Sequence, residues 1–343
     1  MKAALLYGPR DLRIKERPDP IIGPGDMLLR VRAVGVCGSD VHIYVHGEIG
    51  GIVLQRPLIL GHEFGGEVVR VADDVANVRP GDRVAVDPAR NCMTCEFCLK
   101  GHPNLCGNLH FCGMMPDDGA LAEYMAYPAR LAHRLPESIS YGEATFLEPL
   151  GVAMHATDLG KLRGGHEVAV LGCGPIGLPV IQMARVSGAT RIFATDLLDY
   201  RLEFARRCGA TDVLNAGETD PVAWIAEETK GRGVDVAFGA AGAANTAAQA
   251  VEMARRGGTV CLIGIPVEDR TEFRASSARR KGLTIKLVRR MKHIYPRAIA
   301  LVQRGLIELR PLLTHEFSLE EVEKAFQLVE HSRDGVIKAI IRL

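Results

Sequence analysis

The chain has 343 residues, about twice the length of a typical domain, and its 47% hydrophobic and 24% charged residues are ordinary for a globular protein. Its 42 basic and 41 acidic residues give a formal net charge of +1, which argues against a nucleic-acid-binding groove. The first twenty residues lack the features of a secretory signal, and no uncharged apolar stretch is long enough to cross a membrane. We therefore expect a cytoplasmic protein with no membrane partner.

The first 150 residues predict a β-rich domain. Short apolar runs, such as MLLRVRAVGV at 27–36 and DRVAVDP at 82–88, are separated by Gly, Pro and Asp. Their apolar residues do not repeat with the period of a helix over any long stretch, and this pattern is typical of short strands joined by turns.

From about residue 152 to 286 the pattern predicts alternating strands and helices. EVAVLGCG at 167–174 is strand-like, a helix-like segment follows it, and RIFATD at 191–196 is strand-like again. The alternation continues through VDVAFGAAG and TVCLIGIP. Apolar strands in strand–helix–strand order predict an α/β fold with a doubly wound parallel sheet.

After about residue 286 the alternation ends. Two helices are predicted, and the second has Ser318 as its cap with Glu321 three residues later. VIKAIIRL at 336–343 is strand-like. We expect this segment to return to the first domain, so that residues 1–151 and 287–343 form one domain and residues 152–286 the other.

The hexamer GCGPIG at 172–177 fits the dinucleotide-binding fingerprint, because a strand precedes it and a helix follows it. Gly172 permits the tight turn, Gly174 lets the pyrophosphate approach the backbone, and Gly177 allows close helix packing. Asp196 ends the next strand and favours NAD over NADP, whereas Arg201 could hold a 2′-phosphate or stack on the adenine. The alternative is a glycine-rich turn without a cofactor. The candidate cofactor-binding residues are Gly172, Gly174, Pro175, Ile176, Gly177, Asp196 and Arg201.

Four of the nine cysteines, Cys92, Cys95, Cys98 and Cys106, lie within fifteen residues. In a reducing compartment this spacing indicates metal binding before disulfides. Four thiolates can surround one zinc tetrahedrally and leave no open position, which makes the site structural. An iron–sulfur cluster is the main alternative.

Two further fragments carry candidate metal ligands: CGSDVH at 37–42 and GHEFGGEV at 61–68. Alone, Cys37 could be a small buried hydrophobe and His62 a surface residue. Together with LEPL at 147–150, the cysteine lobe and the GCGPIG fingerprint, these fragments resemble the zinc-containing medium-chain alcohol dehydrogenases, and within them the sorbitol and xylitol dehydrogenase branch. The resemblance covers essentially the whole chain and implies a GroES-like catalytic domain and a Rossmann cofactor domain.

The resemblance also implies roles at a catalytic zinc. Cys37 and His62 would be ligands, and Glu63 and Glu148 would lie around the metal, directly or through water. Ser39 would accept the alcohol proton and His42 would pass it towards solvent. Two zinc ions per chain and NAD are the implied cofactors. The substrate contacts implied by the polyol branch are Phe111, Glu123 and Arg290.

The predicted reaction transfers a hydride from a secondary alcohol of a polyol to NAD. Ile43 and Met291 replace tyrosines of the animal sorbitol enzymes, which leaves the substrate open. L-Threonine, 2,3-butanediol and a sugar acid such as L-idonate are alternatives with the same chemistry. Arg290 could equally be a surface charge in a basic run. A non-catalytic NAD(H)-binding protein or a zinc-free relative is a distant alternative, because it would have no need of these ligands.

The family also implies a homodimer or homotetramer. CLIGIPVED at 261–269 is the predicted edge strand of the cofactor domain, and an unpaired apolar edge tends to be covered by a partner.

Overall fold

The computed structural model describes residues 1–343 and divides them into two compact units. Unit 1 comprises Met1–Glu148 and Tyr295–Leu343, and unit 2 comprises Pro149–Ile294. The second junction lies eight residues later than in the sequence prediction, because the segment after residue 287 stays with unit 2. There the Val288 N–H donates to the Leu262 carbonyl at 2.9 Å, and Met291 and Ile294 lie beside Gly151.

Unit 1 consists mainly of strands, whereas unit 2 repeats a strand followed by a helix. The strands are β1 Lys2–Leu6, β2 Leu12–Glu16, β3 Asp26–Gly35, β4 Glu48–Ile49, β5 Ile52–Val53, β6 Leu58–Ile59, β7 Glu63–Val71, β8 Arg83–Val86, β9 Ala89–Arg90, β10 His110–Phe111, β11 Tyr124–Pro128, β12 Ala132–Arg134, β13 Glu167–Leu171, β14 Arg191–Asp196, β15 Asp212–Asn215, β16 Val234–Gly239, β17 Ala254–Leu262, β18 Thr284–Leu287, β19 Leu313–Ser318 and β20 Lys338–Arg342. The helices are α1 Gly38–His46, α2 Glu96–Leu99, α3 Tyr141–Gly160, α4 Gly177–Val186, α5 Asp199–Cys208, α6 Pro221–Glu228, α7 Thr246–Met253, α8 Ala275–Lys281, α9 Tyr295–Gln303 and α10 Val322–Glu330. None of these helices combines the length and the apolar character needed to span a bilayer.

Unit 1 is built around a seven-stranded sheet in which β3 is the central strand. The order is β12-β8-β7-β3-β20-β19, and β11 also pairs with β3. In the antiparallel registers, Gly35 at the end of β3 faces Glu63 of β7 on one side and Ile340 of β20 on the other. β20 from the end of the chain completes this sheet by pairing with β3.

The core of unit 1 follows from alternating burial along its strands. Leu29 of β3 is buried between the more exposed Leu28 and Arg30, whereas Phe64 of β7 lies in a stretch whose first four residues are all buried. Tyr44 of α1 packs edge-on against Phe326 of α10, with ring centroids 5.3 Å apart. This packing fixes α1, whose first residues follow Cys37.

Unit 2 contains a six-stranded, all-parallel sheet in the order β15-β14-β13-β16-β17-β18. Counted from β13, this is the 3-2-1-4-5-6 order of a dinucleotide-binding sheet, with the switch point between β13 and β16. Every residue of β16 is buried, as expected for an interior parallel strand covered on both faces. The predicted α/β fold class is confirmed.

The predicted edge strand is wrong. Cys261 and Leu262 end β17, which pairs with β16 on one side and β18 on the other. The edge is β18, a four-residue strand whose residues are mostly exposed. A strand this short gives no clear periodic signal, so the sequence pattern pointed to its longer neighbour.

Five helices, α1, α2, α3, α6 and α8, were not predicted from the sequence, and α1 and α3 show why. α1 has only nine residues and begins Gly-Ser-Asp, and α3 contains Pro149 and three glycines within its twenty residues. Glycine and proline normally mark turns, so both segments lacked a helical signature. α3 is nevertheless important for the site, because it carries Glu148.

Candidate active site and metal centres

Three metal-binding side chains converge where β3 ends and β7 begins. Cys37 lies two residues beyond β3, His62 immediately precedes β7, and Glu63 is its first residue. One ligand atom from each lies within 4.8 Å of the other two, and His62 and Glu63 are buried. A thiolate, an imidazole and a carboxylate form a donor set that suits zinc and leaves a position for an exogenous oxygen. The residues present therefore fit a catalytic zinc.

Asp40 orients this group and was missed by the sequence analysis. Its Oδ1 lies 3.1 Å from His62 Nδ1, and the same oxygen accepts from the Gly61 N–H at 3.4 Å. Its Oδ2 accepts from the Cys37 N–H at 3.4 Å. A carboxylate on the outer ring nitrogen fixes the tautomer of a histidine ligand. The signal was available, since Asp40 is the fourth residue of the CGSDVH fragment.

The surroundings of His62 couple metal binding to proton release. Burial opposes the charged ring, but Asp40 and Cys37 outweigh it and raise the pKa of His62 well above its usual value. Only the neutral ring can bind a metal, so a metal at His62 would compete with protonation of the ring.

Ser39 and His42 lie on α1 close to the metal-binding group. Ser39 Oγ lies 3.3 Å from Cys37 Sγ and 3.5 Å from His62 Nε2. His42 is one turn further along, half-buried, with its ring centroid 4.6 Å from that of His46. Burial, followed by the charge of His46, lowers the pKa of His42, which favours a neutral ring able to accept a proton.

Lys338 also reaches the metal-binding group, although the sequence analysis gave it no role. Its Nζ donates to both carboxylate oxygens of Glu63, at 2.6 and 2.9 Å, and to the Val36 carbonyl at 3.2 Å. Both side chains of the pair are only 1% exposed. The ammonium also lies 5.5 Å from the centre of the Phe146 ring.

Glu148 and Phe111 lie around this group. Glu148 is buried on α3 but is not one of the three residues whose ligand atoms lie within 4.8 Å of one another. Burial lowers the pKa of Lys338. The negative charges of Glu63, Cys37 and then Glu148 outweigh this effect, and the pKa is raised overall. The Phe111 ring lies 5.1 Å from the His62 ring. Phe111 is thus placed to border a ligand at this site.

The other two predicted substrate contacts are Glu123 and Arg290. The carboxylate of Glu123 accepts a hydrogen bond from the Lys2 N–H at 2.7 Å and therefore lies at β1. Arg290 belongs to unit 2, where it is half-buried with a φ of 52°. The substrate role of each residue stays a prediction.

The four clustered cysteines form a second metal-binding group on the lobe around α2. Their ligand atoms lie within 4.8 Å of one another, and the sulfur–sulfur distances include 3.5, 3.8 and 4.0 Å. Sulfurs around a tetrahedral zinc with bonds of about 2.3 Å should lie roughly 3.8 Å apart. An iron–sulfur cluster contains several irons and inorganic sulfur and would hold its cysteines farther apart. The spacing fits a single zinc.

Backbone N–H groups of this lobe donate hydrogen bonds to two of the four sulfurs. The Cys95 N–H donates to Cys92 Sγ at 3.3 Å, and the Cys92 N–H donates to Cys106 Sγ at 3.4 Å. Hydrogen bonds from the Thr94 backbone and then the Cys95 backbone lower the pKa of Cys92 to about 5. A thiolate at neutral pH is the form that binds metal.

In unit 2 the GCGPIG loop connects β13 to the N-terminus of α4. Gly172 has a φ of 96°, and a Cβ there would lie 2.9 Å from that of Ala241. A Cβ on Gly177 would overlap the Gly172 carbonyl oxygen, whereas one on Gly174 would meet only Arg201 Nη1, at 3.9 Å. Gly172 and Gly177 are thus needed for packing, and Gly174 borders open space, where a pyrophosphate would have room. Pro175 and Ile176 complete the turn before α4.

Asp196 lies at the carboxyl end of β14, beside this loop. Its Oδ2 accepts from the Cys173 N–H at 2.7 Å, and its Oδ1 accepts from the Leu197 and Leu198 N–H groups at 2.8 and 3.1 Å. Arg201 Nη1 is 3.9 Å from the same carboxylate. The loop, Asp196 and Arg201 therefore form one cluster in unit 2, with a fixed negative charge where a ribose would bind.

Comparison with known proteins matches both halves of the chain to dehydrogenase families. The alcohol dehydrogenase GroES-like domain matches residues 23–137, and the zinc-binding dehydrogenase family matches residues 175–304. The sorbitol dehydrogenase of Bacillus subtilis (strain 168) is 36% identical over 99% of this chain and 97% of its own length. The human sorbitol dehydrogenase is 36% identical over 94% and 91%.

Solved structures give the same family with more varied functions. An Escherichia coli oxidoreductase/dehydrogenase of unknown specificity superposes with a TM-score of 0.94 at 34% identity, covering 99% of this chain and 98% of that one. A short chain alcohol dehydrogenase of E. coli CFT073, complexed with NADH, gives 0.92 at 31% identity, covering 100% and 99%. The 2R,3R-butanediol dehydrogenase of B. subtilis gives 0.90 at 33% identity, also covering 100% and 99%.

Proposed function

Because this chain belongs to the zinc-containing medium-chain alcohol dehydrogenase family, we propose that it transfers a hydride from a secondary alcohol of a polyol, such as sorbitol or xylitol, to NAD. The observation that carries the proposal is the convergence of the half-buried Cys37 with the buried His62 and Glu63, where Asp40 orients the His62 ring. A protein without a catalytic metal has no need to bury these donors together.

Two zinc ions per chain are proposed. Cys37 and His62 would hold the catalytic ion, with Glu63 and Glu148 close to it, and the lobe of four cysteines would hold a structural ion. The GCGPIG loop and Asp196 would hold the NAD, because the Asp196 carboxylate repels a 2′-phosphate.

Bound zinc would lower the pKa of the alcohol, and the nicotinamide would accept the hydride. The chain's own residues handle the proton. Ser39, whose Oγ lies 3.5 Å from His62 Nε2, would take the alcohol proton, and His42 would pass it towards solvent. The lowered pKa of His42 supports this role, since the ring must be neutral to accept the proton. Asp40 keeps the His62 ring in place throughout.

The polyol assignment is supported by the sorbitol dehydrogenase relatives, which match along essentially the whole chain. A vicinal diol such as 2,3-butanediol is the second candidate. It is favoured by the butanediol dehydrogenase likeness and by Ile43, whose side chain cannot hydrogen-bond a distant hydroxyl. A homo-oligomer is proposed from the family alone.

The test is NADH formation, followed at 340 nm, by zinc-loaded protein with NAD and a panel of alcohols. The panel contains sorbitol, xylitol, ribitol, galactitol, L-idonate, 2,3-butanediol and L-threonine. A preference for sorbitol or xylitol would support the proposal, and turnover of butanediol or threonine alone would overturn the substrate class. Cys37→Ala is the control, which should abolish turnover and leave NADH binding intact. Full activity in that variant would refute the metal-dependent mechanism.

A further inference from the structure

We propose that His46 is the outer member of the proton relay, so that the proton accepted by His42 passes to His46 before it reaches solvent. The inference deepens the proposed function and rests on it, since the relay begins with an alcohol proton taken by Ser39. Over one turnover the alcohol oxygen loses a proton, each ring accepts one proton and gives one up, and a surface water molecule gains it. His46 acts only through His42 and is therefore a positioning residue for the proton.

The first support is the arrangement of the two rings on α1. His42 and His46 are four residues apart, so their side chains lie on the same face of the helix. Their ring centroids are 4.6 Å apart, and the ring planes are tilted by 49°. At this separation a single water molecule can bridge the ring nitrogens and carry a proton from one to the other.

The second support is the difference in exposure between the two histidines. His42 is half-buried, whereas His46 is exposed. Burial lowers the pKa of His42, and the charge of His46 lowers it further. A proton on His42 is therefore transferred favourably to a better hydrated base, and the two rings resist being charged at the same time. The proton thus moves outwards along α1 and is held by one ring at a time.

The third support is the charge around His46. This residue lies in the last turn of α1, where the negative end of the helix dipole stabilises a cation. Glu48 follows two residues later, and Glu330 of α10 also lies near. A hydrogen bond from Arg10 has the largest part in lowering the pKa of Glu330, and the charges of His331 and then His46 lower it further. The dipole and these carboxylates favour a proton on His46, from which water can take it.

The fourth support is that α1 holds both rings in fixed positions. Tyr44, which lies between them in the sequence, packs against Phe326, and its hydroxyl donates to Glu323 at 3.3 Å. The helix ends at Gly47, which has a φ of 73° and whose N–H donates to the Ile43 carbonyl at 2.8 Å. The distance between the two rings therefore does not depend on a mobile segment.

The experiment follows proton release during a single turnover of the zinc-loaded protein. Wild type and His46→Gln are mixed with NAD and the alcohol preferred in the panel above, in weakly buffered solution containing phenol red. NADH is followed at 340 nm, and the proton is followed by the absorbance of the dye. In wild type, proton release should be no slower than NADH formation. In His46→Gln, the proton should appear at least about tenfold more slowly than in wild type.

Steady-state turnover gives a second readout. The kcat of His46→Gln should rise towards the wild-type value as the HEPES concentration is increased, because the buffer base takes the proton directly from His42. The kcat of wild type should not depend on the buffer, and KM for the alcohol should be the same in both proteins. A residue that only stabilises the helix would show no rescue by buffer.

Three further variants separate the relay from a structural or purely electrostatic role. His46→Lys keeps a positive charge at the end of α1 but stays protonated at neutral pH, so it should release the proton as slowly as His46→Gln. His331→Gln removes a neighbouring histidine and should behave as wild type. In a His42→Gln background, His46→Gln should cause no additional loss, because His46 acts through His42.

Two results would overturn the inference. One is a His46→Gln variant with the thermal stability of wild type that releases the proton as fast as wild type. The other is a His46→Lys variant with the wild-type rate, which would reduce the role of His46 to its charge. Failure of the proposed function gives a different result, since a wild-type protein that turns over no alcohol of the panel would overturn both.

Discussion

Replacing Gly174 by alanine tests whether the GCGPIG loop binds a pyrophosphate. The nearest protein atom to the new methyl group would be Arg201 Nη1 at 3.9 Å, and the φ of Gly174 lies outside the left-handed region. The substitution should therefore change the free energy of unfolding by less than about 0.5 kcal/mol. The methyl group would, however, occupy the space through which the phosphates approach the backbone.

The expected loss of affinity follows from the contacts displaced. Moving the pyrophosphate away from the loop should weaken one charge-assisted hydrogen bond, worth about 1.5–3 kcal/mol. This corresponds to roughly 10- to 100-fold weaker NADH binding, since about 1.4 kcal/mol is a factor of ten. Fluorescence titration of NADH measures the binding, and thermal unfolding measures the stability.

Gly177→Ala is the matched comparison. Its Cβ would overlap the Gly172 carbonyl oxygen, so the loop and α4 must move apart. Overpacking of this kind costs about 1–3 kcal/mol, and both stability and NADH affinity should fall. If Gly174→Ala folds normally and binds NADH as tightly as wild type, the loop is not the pyrophosphate site and the reasoning fails.

Asp196→Ala should lower the ratio of kcat/KM for NAD to that for NADP, because it removes the charge that repels a 2′-phosphate; an unchanged ratio would mean that another group reads the ribose. Asp40→Ala should weaken zinc binding at the active site by about 10- to 100-fold in a chelator competition, since it frees the His62 ring, and an unaltered affinity would show that the ring is held by other contacts. Asp235→Asn tests a charge in unit 2: although burial opposes ionisation, hydrogen bonds from Glu167, Arg255 and Arg232 lower the pKa of Asp235 to about 2. Because the pKa of Asp235 is lower in the folded state, the stabilisation by its carboxylate is present above about pH 4 and is lost as the pH falls towards 2. The difference in melting temperature between wild type and variant should therefore be clear at pH 7 and vanish near pH 2. A pH-independent difference would contradict this account.

The parallel sheet could be predicted from the sequence because its evidence is local. Strands such as β13 and β14 are continuous apolar runs, and the glycines at 172–177 join one of them to a helix. The four-cysteine site could be predicted for the same reason, since all four cysteines lie within fifteen residues of the sequence. In these cases the interacting groups are close along the chain, so their order already indicates their geometry.

Contacts between distant segments could not be predicted in this way. Lys338 donates to a carbonyl 302 residues away, and only the pairing of β20 with β3 brings the two together. Within VIKAIIRL the lysine is indistinguishable from a solvent-exposed residue of an edge strand. The helix α3 was missed for a different reason, because the proline inside it opposes helix formation locally and packing in the folded protein outweighs that preference.

The pairing of β20 with β3 has a consequence for biosynthesis. The proposed metal site of the cysteine lobe needs only residues 92–106, so it would be complete as soon as that short segment leaves the ribosome. The group around Cys37 is different, because the Glu63 carboxylate stays without an ammonium until Lys338, 275 residues later, has been synthesised and its strand has docked. Such long-range closure is slow compared with local folding. The two proposed metal sites should therefore form in sequence during synthesis, with the cysteine lobe first and the site at Cys37 reaching its final charge balance only after β20 joins the sheet.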